Sequence, residues 1–125
     1  MEMKMDEITI NGKTYVEKGS LGAVQAKARP DGLEYCIVRT YSAGVFAGWY
    51  DRSTTGQEGT VYDARGIWYW DGACGLSQLA VDGTSKPENC KFTVQADHDL
   101  KQIIEVIPCT TKAQASIEGV AIWKK

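Results

Sequence analysis

VRTYSAGVFAGWY, residues 38–50, and RGIWYWDG, residues 65–72, are the stretches from which the fold can be read. The first holds two runs of aromatic and β-branched residues around Ser42-Ala43-Gly44. That is the composition of two strands joined by a turn whose glycine can take a positive φ, and it predicts a hairpin with strands over 33–41 and 45–52. Side chains alternate along an extended chain. Tyr35, Ile37, Arg39 and Tyr41 therefore share one face, and Cys36, Val38, Thr40 and Ser42 the other. In the next strand Phe46, Tyr50 and Arg52 oppose Val45, Ala47 and Trp49. In the second stretch the same alternation puts Trp68 and Trp70 together, with Arg65, Ile67 and Tyr69 opposite.

Working outward, the polar segment 53–60 with Gly56 and Gly59 reads as a turn, followed by strands over 61–64 and 66–70 that complete a four-strand meander. Upstream, Asn11-Gly12 between short β-prone runs is a strong hairpin signal, so residues 1–17 are expected to form an N-terminal hairpin. Residues 18–32 lack alternation and read as a loop or short helix able to act as a lid. Downstream, Leu76, Leu79 and Ala80 at i, i+3 and i+4 predict a short helix stopped at Gly83. Phe92, Val94 and Ala96 alternate with polar neighbours, predicting a strand. Asp97-His98-Asp99 reads as a tight connection from it to a partner strand over 102–107. Pro108 stops that ladder, Thr110 or Thr111 caps a helix that Gly119 closes, and 120–123 returns as a strand. The fold class is α+β, mainly antiparallel sheet with one or two short helices, one of them near the C-terminus. The chain is expected to be a single domain over 1–125, with its sheet core in 33–125.

The sequence of 125 residues carries a net charge of −2. It lacks the single-sign excess of a protein that coats long nucleic acid or a membrane surface. No apolar run approaches the length of a membrane helix, and the opening MEMKMDEITI has no apolar signal region, so a cytoplasmic location is expected. Without an export signal, Cys36, Cys74, Cys90 and Cys109 read as buried thiols rather than bridges. A metal site is not expected, because no pair has C-x-x-C spacing and His98 is the only histidine.

Arginines and flat rings on adjoining strands suit a nucleotide. A ring stacks on a base for roughly 1–3 kcal/mol, and an arginine fork holds a phosphate by two charge-assisted hydrogen bonds. The plainer reading is that aromatic and β-branched residues are what strands are made of. Catalytic constellations are not found. A serine or cysteine nucleophile would need His98 as its base, and Asp97 with Asp99 is explained more simply by solvation. Neither the phosphate-cradling G-x-x-x-x-G-K-[ST] loop nor the G-x-G-x-x-G fingerprint occurs. No catalytic residue and no cofactor are assigned.

Four runs, VRTYSAGVFAGWY, ARGIWYWDGACGLSQLAVDG (64–83), SKPENCKF (85–92) and EVIPCTTKAQASIEGVAIWKK (105–125), resemble in their order a family of small phage and prophage proteins, the Thoeris anti-defence proteins of the sponge type. The resemblance covers residue 34 to the C-terminus. It implies sequestration without chemistry: bacterial TIR-domain proteins make a cyclic ADP-ribose isomer as an alarm, and the phage protein binds it so that the effector never responds. It also implies a location in the cytoplasm of the infected bacterial host, assembly as dimers or higher homo-oligomers, and cyclic oligonucleotide binding in some members.

Nanomolar binding of such a ligand needs about 12 kcal/mol, so several contacts must cooperate. The candidate ligand-binding residues are Tyr41, Phe46, Trp68, Trp70 and Phe92 for stacking, Arg39 and Arg65 for phosphate, and Ser42 and Asn89 for polar recognition. Arg39 and Tyr41 lead the set because they share a face. Two rival readings are a small enzyme that degrades the signal, which product analysis would separate, and a protein-interaction module, since Trp, Tyr and Arg are also interface hot-spot residues.

Overall fold

The computed structural model describes Arg29 and residues 31–124. The expected hairpin over 1–17 and all of the 18–32 lid segment except Arg29, Asp31 and Gly32 lie outside the described residues. The elements are β1 (Glu34–Thr40), β2 (Val45–Tyr50), β3 (Gly59–Tyr69), α1 (Leu76–Asp82), a 3-10 turn (Pro87–Asn89), β4 (Lys91–Phe92), β5 (Ala96–Leu100), β6 (Ile103–Pro108) and α2 (Thr111–Gly119). Six antiparallel strands in one sheet with two helices make the fold α+β.

The first hairpin forms as its pattern requires, with Arg39 paired to Val45 and Glu34 to Tyr50, and Gly44 in the turn at φ 98°. Both faces are buried. Tyr35, Ile37 and Ala47 enter one core cluster with Leu79, Ala80, Ala113 and Ile117 of the helices. Cys36, Val38, Phe46 and Tyr50 enter a second with Val61, Ala64, Leu100 and Ile103. The alternation read from the sequence is thus correct, and what it separates is two cores.

Downstream the pairing departs from expectation. The strands expected at 61–64 and 66–70 are one strand, β3, which absorbs a bulge rather than breaking: Asp63 takes φ 49° where the registers shift. Gly48 lies opposite this bulge, where a Cβ would stand 2.7 Å from both Ala64 Cα and Tyr62 O. Only a glycine lets β2 and β3 approach so closely. Asp97-His98-Asp99 is not a turn but the middle of β5, with His98 paired to Val61. The strand expected around Phe92, Val94 and Ala96 shrinks to Lys91–Phe92, and Val94 is exposed.

Nor do β5 and β6 pair with each other. β5 runs antiparallel to β3, and β6 antiparallel to β1. Since β1 and β3 both run opposite to β2, β5 and β6 point the same way. Lys101 and Gln102 join them without a reversal, so one bent strand serves both outer edges of the β1–β2–β3 meander and curls it into a barrel. Gln102 marks the closure: its carbonyl accepts from Tyr41 N at 2.9 Å, and the next amide, Ile103 N, donates to Gln57 O at 2.9 Å. The second core cluster fills this barrel, and α1 and α2 cover the outer face over the first.

α2 begins where the threonines predict, with Thr110 Oγ1 accepting from Ala113 N at 3.1 Å. The strand expected over 120–123 is reduced to a single bridge between Phe92 and Ile122, because the carbonyls of Val120 and Ala121 are taken by Arg65.

Candidate functional site

A hollow of about 220 Å³ opens where the β1–β2 turn meets the far half of β3, lined by Ala43–Phe46, Gly66–Trp68, Thr93 and His98. β2 brings Phe46 to it, β3 brings Trp68, and β5 brings His98. The Phe46 and His98 rings lie 4.6 Å apart at 41°. Trp68, 66% exposed, stacks on Trp123 at 5.1 Å. Lys91 Nζ stands 5.4 Å from the Trp68 ring and 5.6 Å from that of Trp123, within the range of cation–π attraction. Thr93 Oγ1 accepts from Gly66 N at 2.7 Å and donates to Val94 O at 3.2 Å, fixing one wall.

Of the residues singled out in the sequence, Phe46 and Trp68 line this hollow. Arg39 is the cross-strand partner of Val45, another lining residue. Its Nε donates to Glu105 Oε1 at 2.9 Å, while its two terminal amino groups have no partner among the described residues. Tyr41 and Ser42 lie in the adjoining turn. Tyr41 is 78% exposed, and Ser42 Oγ donates to Gln102 Oε1.

The remaining four stand elsewhere. Arg65 is buried and spends its fork on backbone carbonyls: Nε on Thr93, Nη1 on Ile117 and Val120 at 2.8 and 2.7 Å, and Nη2 on Phe92 and Ala121. Burial pushes its pKa down, against the opposing pull of Tyr35 and Glu118. Trp70 does not share a face with Trp68, because β3 ends at Tyr69 after a register shift and leaves Trp70 packed against the helix-side core. Asn89 Nδ2 donates to Asp71 Oδ2 at 3.0 Å, a bond that with the Gly72 amide holds the Asp71 carboxyl below its ordinary pKa. Phe92 is fully buried.

His98 was not assigned to a site by the sequence, whose two flanking aspartates mask the strand. The one available signal is that Ala96, His98 and Leu100 follow period two. The cysteines form no disulfide; Cys36, Cys90 and Cys109 are buried, and Cys74 is exposed. Burial, with Glu34 adding to it, pushes the Cys36 thiol up to about 12. Cys109 rises to about 12 by burial and the neighbouring Cys36. These are inert thiols rather than nucleophiles. No helix among the described residues is long and apolar enough to cross a membrane.

A family profile for a domain of unknown function, DUF6948, matches residues 33–117. No curated protein and no solved structure matches the chain.

Proposed function

We propose that this chain, which belongs to the DUF6948 family, binds a cyclic ADP-ribose isomer and holds it intact. The observation that carries this reading is the hollow itself: the rings of Phe46, Trp68 and His98 line one space, and Arg39, on the other face of the sheet as the cross-strand partner of the lining residue Val45, keeps part of its guanidinium unengaged. Rings supply stacking faces that every base can use, and the unspent donors of Arg39 suit a phosphate. The ligand in this proposal is glycocyclic ADP-ribose made by bacterial TIR-domain immune proteins. Its sequestration in the cytoplasm of the infected host keeps the defence effector inactive.

At about 220 Å³ the hollow is smaller than the roughly 300–1,000 Å³ usual for ligand pockets. It holds one ring system, and the ribose and phosphate groups lie outside it. Trp68, Tyr69 and Ile122 are 66%, 50% and 47% exposed, and a second copy of the chain seated over Trp68 would cover the mouth of the hollow. The same exposed residues favour the second reading, a protein-interaction module without a small ligand.

The test is to incubate the purified protein with cyclic ADP-ribose isomers and cyclic oligonucleotides, isolate the complexes, denature them by heat and identify what is released by mass spectrometry. Intact cyclic ADP-ribose isomer supports the proposal. An altered product makes the chain an enzyme, release of cyclic oligonucleotides alone replaces the ligand class, and no ligand favours the interaction module.

A further inference from the structure

We propose that His98 is the residue that reads the base of the bound nucleotide, by a hydrogen bond from its imidazole to the base edge; this rests on the reading just given. Alanine, glycine, valine, isoleucine and aromatic side chains make up most of the hollow. Thr93 contributes a hydroxyl that is already committed to Gly66 and Val94. His98 is the lining side chain that offers both an unspent donor and an unspent acceptor, since neither ring nitrogen has a hydrogen-bond partner among the described residues, whereas the Trp68 indole can only donate. Neutral imidazole offers one N–H donor and one acceptor. Packing against Phe46 at 4.6 Å fixes the plane of the ring, so it meets an incoming base in one orientation.

The flanking charges do not compete for it. Asp97 Oδ1 accepts from the Asp63 amide at 3.0 Å and Asp99 Oδ1 from Thr60 Oγ1, both contacts belonging to the β3 ladder. The cross-strand partner of His98 is the apolar Val61. A planar base entering between Phe46 and Trp68 strips water from this imidazole. A base with a matching group restores the lost hydrogen bond, and one without it leaves a polar group unpaired, at a cost of about 5- to 160-fold in affinity. Recognition is thereby divided: the rings accept any base, and His98 selects.

The experiment is a set of titrations with glycocyclic ADP-ribose and four analogues in which the 6-amino group is replaced by hydrogen, or N1, N3 or N7 by C–H, one at a time. Each is measured on the wild-type protein, on His98→Phe, which keeps a ring against Phe46, and on His98→Gln as a second replacement. We expect one analogue to bind the wild type about tenfold more weakly or worse, and His98→Phe to bind that analogue and the parent ligand equally. If the wild type binds the parent but treats all four analogues alike, or if both His98 variants keep the wild-type discrimination, the inference is overturned and the sequestration reading stands. If the wild type binds none of the five, both fall.

Discussion

Arg65 donates through Nη2 to the carbonyl oxygen of Phe92 at 3.1 Å while its Cζ lies 5.6 Å from the centroid of the Phe92 ring. A buried cation is tolerable only when its donors are met, and here carbonyls of β4, of the residue after it, of the last turn of α2 and of the chain leaving it meet them. The same contacts draw the C-terminal segment against β3, so that Trp123 comes to stack on Trp68.

Arg65→Met should therefore lower stability by about 3 kcal/mol, since several buried carbonyls lose their donor at once. Arg65→Lys should recover only part of this, because an ammonium cannot span the positions a planar fork reaches. Urea unfolding measures the loss. Near-ultraviolet circular dichroism should show the Trp68–Trp123 signal reduced in both variants.

Gly48→Ala should destabilise the fold by about 2 kcal/mol, the usual scale for forcing a group into a packed interior. The obstacle is backbone, Ala64 Cα and Tyr62 O, rather than a side chain that could turn away. A urea midpoint unchanged from the wild type would contradict the close approach of β2 and β3.

Alkaline pH should unfold the protein through its buried thiols. Cys36 and Cys109 titrate near 12 in the fold against an ordinary value of 9.0, and burial raises the Tyr35 phenol in the same direction. A raised folded pKa contributes its stability in full below the unfolded pKa and loses it as pH rises. Stability should thus fall from about pH 9 to about pH 12, each thiol adding a slope of about 1.4 kcal/mol per pH unit. Urea midpoints across this window should drop less steeply in Cys109→Ala than in the wild type.

A thiol reagent should label the native protein in two phases, a fast one at Cys74 and a slow one, limited by opening of the structure, at the three buried cysteines. Cys74→Ser should remove the fast phase alone, as stopped-flow absorbance would record.

The first hairpin was legible because its residues obey period two on both sides of a glycine turn, and that signal is local. The cap of α2 was legible for the same reason: Thr110 needs only the amide of Ala113. What was hidden depends on residues distant in the chain. ADHDL has the composition of a turn, and only pairing with β3 makes it a strand. Arg65 looks like a phosphate ligand until carbonyls 27 to 56 residues away take its donors. The lining of the hollow was read in the same proportion: Phe46 follows from strand phase, whereas His98 and the stacking of Trp68 on Trp123 follow from the tertiary arrangement alone.

The bent strand of β5 and β6 also sets a timetable for synthesis. β1 leaves the ribosome with its outer edge unpaired, and its partner β6 ends at Pro108, seventy residues or so behind it. Until that segment emerges the nascent meander exposes a strand edge, the kind of surface on which chains aggregate. The last third of the chain therefore guards the first third, and a truncation before β6 should leave a sticky open sheet rather than a smaller folded protein.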